Sequence, residues 1–163
     1  MDNVRAEDLK REYRRLTNFK AELKQEVKQT SEELQEHDNW YNLEEHQLED
    51  LAESLRRLSD KNQGKQTKIW KIELKQIDIR ERLEGINIET LMDRKSAILK
   101  LIELRQEQLQ VVKARLCWND LAPEVREDLR LRKESLADKL QDTEDEYWRL
   151  ETAIEVENRN YNW

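Results

Sequence analysis

Two histidines, His37 and His46, and a long run of carboxylates are the side chains of this chain best equipped for chemistry. A metal ion held between helices needs convergent ligands, commonly two residues at i and i+4 or a set drawn from loops. His37 and His46 are nine residues apart and fall on different faces of a helix. That spacing points to a polar seam residue at His37, with Glu44 one heptad on, and not to a ligand pair. No nucleophile stands beside a base. Neither a phosphate loop nor a dinucleotide turn can be built, because the two glycines, Gly64 and Gly85, stand alone. Carboxylate pairs abound, but acid–base catalysis needs a concave pocket that shifts a pKa, and long helices offer none. The expectation is a protein with no catalytic site, no metal and no cofactor.

The acidic pattern is more specific. From Gln29 to Leu55 there is no Lys or Arg, while Glu32, Glu33, Glu36, Asp38, Glu44, Glu45, Glu49, Asp50 and Glu53 all fall in that span. The run "DTEDE" at 142–146 is expected at the same level, facing Arg94, Lys95 and Lys100 of the middle helix. Such a belt is either a solubilising face or a docking site for a basic partner segment. The basic clusters "KREYRR" (10–15) and "RLRK" (130–133) are diluted by Glu7, Asp8, Glu12, Glu127 and Asp128. They read as solvated helix faces carrying in-helix ion pairs. A net charge of −7 disfavours both phosphate backbones and anionic lipid, so neither nucleic acid nor membrane is expected as a partner.

The elements that would position these groups follow from composition. The chain has 163 residues, 41% of them charged, and just over half are Ala, Glu, Lys, Leu or Arg. With a helical repeat, that mixture marks long helices or coiled coil. High charge also suits disorder, but leucines at regular spacing argue against it. One cysteine, Cys117, excludes an intrachain disulfide and fits a reducing compartment. No apolar run follows Met1 and none approaches a membrane span, so a cytoplasmic location is expected.

A first seam runs in steps of three and four from Ala6 through Leu9, Leu16, Leu23, Thr30 and Leu34, then Leu48, Leu51, Leu55 and Leu58, to Asn62. This predicts one helix over about 5–62, roughly 80 Å long, that needs a partner helix. "SDKNQGKQT" (59–67) reads as its end, since Asn62 and Gly64 suit a left-handed C-cap. A second helix is expected over about 67–117. "CWNDLAPEV" then breaks the pattern, with Asp120 as N-cap and Pro123 in a first turn. A third helix over about 121–157 uses Leu129, Leu136, Leu140, Thr143, Tyr147, Leu150 and Ile154, and residues 158–163 form a fraying tail. Trp40, Tyr41, Met92, Tyr147 and Trp148 are expected to meet in an aromatic core layer. Short connections make neighbours antiparallel. The fold class is therefore all-α: an elongated up-down-up three-helix bundle over 1–157, with residues 50–82 protruding as a two-helix hairpin.

"KIWKIELKQIDIRERLEGINIE" (68–89) holds six of the nine isoleucines. Isolated strands are not viable, so it reads as helix, with a bend possible at Gly85. At 100° per residue, Ile69, Ile72, Ile79, Leu83 and Ile86 form one stripe, assigned to Leu48, Leu51, Leu55 and Leu58. Trp70, Leu74, Ile77 and Ile88 form a second, which needs its own cover. The tail could bring Tyr161 and Trp163 to Ile77, but it is too short to reach Trp70. A homodimer through the second stripe, about a two-fold axis, is the expectation. The outline resembles spectrin-type three-helix repeats and the helical hairpins of secretion-associated escort proteins in shape alone, with no motif of either matched. Function is therefore read from surfaces. The first reading is a structural or adaptor protein that self-associates and binds a protein partner. The alternative is a regulatory or chaperone-like binder of a basic or amphipathic client segment through the acidic belt.

Overall fold

The computed structural model describes residues 3–35 and 44–161. It contains four helices: α1 (Asn3–Gln35), α2 (Glu45–Glu84), α3 (Ile88–Leu116) and α4 (Pro123–Tyr161). Among the described residues there is no strand, so the protein is all-α and the isoleucine-rich stretch is helical on both sides of its break. No helix among the described residues is long and apolar enough to cross a membrane.

The helix boundaries differ from the expected ones. The helix expected over 5–62 is not single, because α2 has its own start at Glu45; residues 36–43, with His37, Trp40 and Tyr41, lie outside the described residues. At that start Gln47 Oε1 accepts from the Glu44 backbone N–H at 3.1 Å, the reciprocal half of a capping box. The break expected at 59–67 is absent, and α2 passes straight through Asn62 and Gly64. One interior glycine costs a helix only about 1 kcal/mol. The lysines and glutamines around Gly64 are good helix formers, and Asn62 is buried instead of capping. Residues 50–82 therefore cannot form two arms of a hairpin, since they belong to one helix.

The real interruption is at 85–87, inside the helix expected over 67–117. Gly85 takes φ +90°, the left-handed conformation that ends a helix, and its N–H reaches Glu81 O at 2.8 Å. Asn87 then caps α3. Its Oδ1 accepts from the Thr90 N–H at 2.9 Å, and Thr90 Oγ1 accepts from the Asn87 N–H at 3.1 Å. The last turn falls where expected, and Pro123 is the first residue of α4. Asp120 is too early to cap it; Ala122 holds that position, its carbonyl accepting from the Arg126 N–H at 3.0 Å. Arg126 also closes the end of α3, donating to Leu116 O at 3.0 Å and Trp118 O at 2.8 Å. The tail expected to fray from 158 remains helical to Tyr161.

The chain divides into two compact units, Met1–Ile72 and Glu73–Trp163, with the border inside α2. In the first, α1 runs antiparallel to the earlier part of α2, fixed by Lys65 Nζ–Glu26 Oε2 at 3.2 Å and Asn62 Nδ2 donating to Ser31 Oγ at 3.3 Å. Its buried residues are Leu16, Leu23 and Thr30, one heptad apart on α1, with Asn62, Ile69 and Ile72 on α2. In the second, the end of α2, α3 and α4 alternate in direction. Lys95–Glu151 at 2.5 Å and Arg105 donating to Lys139 O at 3.1 Å set the α3–α4 register. Two clusters fill this unit. Leu91, Ile98, Leu150 and Ile154 form one, and Leu109, Val112, Leu129 and Leu136 the other. Between them lies a polar layer in which Arg105 donates to the buried Thr143 hydroxyl.

Candidate interaction surface

The second isoleucine stripe is partly covered within the chain. Ile77 is 1% exposed, Leu74 and Ile88 pack against the Leu91–Ile98–Leu150–Ile154 cluster, and Trp70 is half-buried. Ile69, Ile72 and Ile79 of the first stripe are buried as well. Ile77, at 1% exposure, is thereby out of reach of a second protomer in this fold, while Trp70, Leu74 and Ile88 keep part of their surface. The expected partner of the first stripe is also corrected. Leu48, Leu51, Leu55 and Leu58 lie on α2 itself and cannot pack against isoleucines of the same helix. Ile86, assigned to that stripe, is 66% exposed, because it follows Gly85 and the helical phase does not carry past the break. Trp163 lies outside the described residues.

The acidic belt remains at the surface. Glu32 and Glu33 near the end of α1, and Glu44, Glu45, Glu49, Asp50 and Glu53 at the start of α2, are all exposed; Glu36 lies outside the described residues. These groups do not share one level. The contacts Ser31–Asn62 and Glu26–Lys65 set Glu32 and Glu33 beside Asp60, more than a turn from Glu53. Part of the α2 cluster has a local role, since Glu45 lies in the first turn, where negative charge complements the helix dipole. Glu53 is neutralised by Arg57 at 3.2 Å and Arg56 at 3.5 Å, and Glu44 faces His46 Nδ1 at 3.6 Å. Glu45, Glu49 and Asp50 have no ion pair among the described residues.

Leu48, Leu51, Leu55 and Leu58 recur at steps of three and four beside these carboxylates, and each is half-buried. On a helical wheel they span about 80°, with Glu45 and Glu49 along one edge. Before Asn62, no described residue of α2 is buried. The buried part of this unit begins with Asn62 and Thr30.

The cations expected to balance the belt are engaged elsewhere. Arg94 binds Asp78 at 2.6 Å and Glu81 at 2.9 Å, Lys95 binds Glu151, and Lys100 binds Glu103 at 3.4 Å. Burial pulls the Arg105 pKa down, with Glu146 and Asp142 acting against it. The expected aromatic core layer is corrected too. Trp148 is 66% exposed and stands edge-on to Tyr147, with ring centroids 5.5 Å apart, while Met92 is 47% exposed. The basic clusters carry in-helix pairs, with Arg15–Glu12 and Arg130–Glu127 both at 2.6 Å. Among the described residues, no group of three or more His, Cys, Asp or Glu could hold a metal ion.

Sequence reasoning set Asn62 at the end of the seam and read it as a cap, not as an interior residue, and it missed Arg105–Thr143 and Arg126 as structural devices. An Asn in register with Leu55 on one side and Ile69 on the other is the signal that identifies the first; the arginine contacts leave no comparable mark. No protein-family model matches the chain, and neither a search of curated proteins nor one of solved structures finds a similar protein.

Proposed function

We propose that the chain is a non-enzymatic helical interaction protein that binds a basic, amphipathic helix of a client protein along the start of α2. The observation supporting this reading is the half-buried stripe Leu48, Leu51, Leu55 and Leu58, edged by the exposed Glu45 and Glu49. Helix-in-groove recognition uses apolar anchors at such spacing. Lysines flanking the anchors of the incoming helix complement the carboxylates and select it over acidic competitors. A second copy of the same stripe fits less well, because a two-fold axis would bring the carboxylates of both copies together.

The test is a titration with a labelled synthetic peptide carrying leucines at three-and-four spacing and lysines elsewhere. Saturable binding is expected, weakening as salt screens the exposed charges. A variant with Glu45→Lys, Glu49→Lys and Asp50→Lys should lose it while keeping its circular dichroism spectrum. A peptide of equal charge with scrambled leucines should bind more weakly. Undiminished binding by the reversed variant would overturn the reading, and equal binding of the scrambled peptide would remove the leucine stripe from it.

A further inference from the structure

The seam between α1 and α2 repeats too regularly to define its own alignment. Leu9, Leu16 and Leu23 on α1 recur every seven residues, as do Leu48, Leu55, Asn62 and Ile69 on α2. Sliding one helix past the other by a heptad, about 10 Å at 1.5 Å per residue, would in one direction set Leu16 level with Ile69 and Leu34 level with Leu51, in place of Leu23 with Ile69 and Leu34 with Leu58. Apolar matching alone is nearly degenerate in that step.

We infer that Thr30, Ser31 and Asn62 form a register lock that admits one alignment of α1 on α2. Thr30 and Asn62 are each 8% exposed, and the Asn62 amide donates to the Ser31 hydroxyl at 3.3 Å. A heptad slide in one direction sets Asn62 level with Leu23, leaving its amide beside that leucine without the Ser31 hydroxyl. The opposite slide sets Thr30 level with Ile69. Either alignment buries a polar group beside an apolar one, which disfavours both. Lys65–Glu26 at 3.2 Å supports the native alignment from the next turn. The lock carries its own penalty, because the buried Asn62 Oδ1 has no hydrogen-bond partner. A residue that weakens a seam while fixing its alignment is the signature of a register determinant.

The test places spin labels on cysteines introduced at the exposed positions Arg11 and Lys61, in a full-length Cys117→Ser background, and measures the inter-label distance. The parent protein should give one distance. Asn62→Leu should add a second, displaced by about 10 Å for one heptad, together with a higher thermal midpoint as the unpaired carbonyl is removed. Asn62→Ala serves the same purpose if the leucine variant misfolds. A single, unshifted distance in a folded Asn62 variant, or two distances in the parent, would overturn the lock.

Discussion

Arg94 and Glu81 meet across the α2–α3 turn at 2.9 Å, with only 15% of either side chain exposed. Burial works against the Arg94 charge, but the Asp78 hydrogen bond and the charges of Glu81 and Asp78 outweigh it and hold its pKa above the ordinary arginine value. Removing one partner of a shielded pair leaves the other charge poorly compensated. Asp78 remains beside Arg94 when Glu81 is neutralised, so Glu81→Gln is expected to cost about 1–2 kcal/mol, below the range for a fully buried pair. Asp78 is 52% exposed on its side chain, and Asp78→Asn should cost under about 1 kcal/mol. Chemical denaturation of both variants checks the order. An Asp78 variant weaker than the Glu81 variant would show that shielding does not control this cluster.

Lys95 and Glu151 lie 2.5 Å apart, with the Lys95 ammonium 5.8 Å from the Tyr147 ring centroid. The Lys95 hydrogen bond, aided by that of Tyr147, holds the Glu151 pKa below the ordinary glutamate value. A depressed folded-state pKa contributes stability above the unfolded value, about 4.3, that is lost as pH falls through the folded one. The Glu151 hydrogen bond raises the Lys95 pKa. That contribution is present below the unfolded lysine value, about 10.4, and is lost as pH rises through the folded one. Glu151→Gln should therefore lower stability through the middle of the pH range and change it far less at either extreme, so that both limbs flatten. Thermal midpoints across the pH range of solubility would show it, and an unchanged acid limb would rule Glu151 out as a contributor.

The two glycines should respond to alanine with opposite signs. Gly85 sits at φ +90°, where a Cβ is strained whatever space surrounds it, and Gly85→Ala is expected to destabilise by about 1 kcal/mol or more. Gly64 lies inside α2, and nothing comes within 4 Å of an added Cβ. There Ala has the better helix propensity, so Gly64→Ala should stabilise by about 0.5–1 kcal/mol. Equal signs in denaturation would contradict the continuity of α2 through residues 59–67.

That pair also shows where the sequence is legible. Both glycines follow polar, charged stretches and both have an asparagine within two residues, so composition alone chooses neither. The choice is made by "NIET" at 87–90, where Asn87 and Thr90 complete a capping box, a signal four residues wide that outranks the longer polar run at 59–67. The α4 seam was legible for the opposite reason. Leu129, Leu136, Thr143, Leu150 and Ile154 share one uninterrupted helix, so their spacing keeps phase, and all five are buried. Phase is also why the isoleucine stripes were partly misassigned, since Ile86 and Ile88 lie beyond the point where α2 ends. The acidic belt was visible as composition, but its division between two levels depends on the α1–α2 register, which a repeating seam does not state.

Ile77 and Ile86 carry the sharpest consequence of that lost phase. Both belong to the isoleucine-rich stretch, and sequence spacing gives each a place in an apolar stripe. In the fold, Ile77 is 1% exposed inside one helix and Ile86 is 66% exposed in the link between two. Truncating a buried isoleucine removes its transfer free energy and leaves a cavity, so Ile77→Ala should cost about 2–5 kcal/mol. Truncating an exposed one removes neither, and Ile86→Ala should change stability by less than about 0.5 kcal/mol. Ile77→Glu should accordingly unfold the region around it, with loss of helical circular dichroism, and not release a folded monomer from a dimer. Light scattering with circular dichroism on that variant separates the outcomes: a folded chain of half the parent's mass would restore the second stripe as an interface between copies.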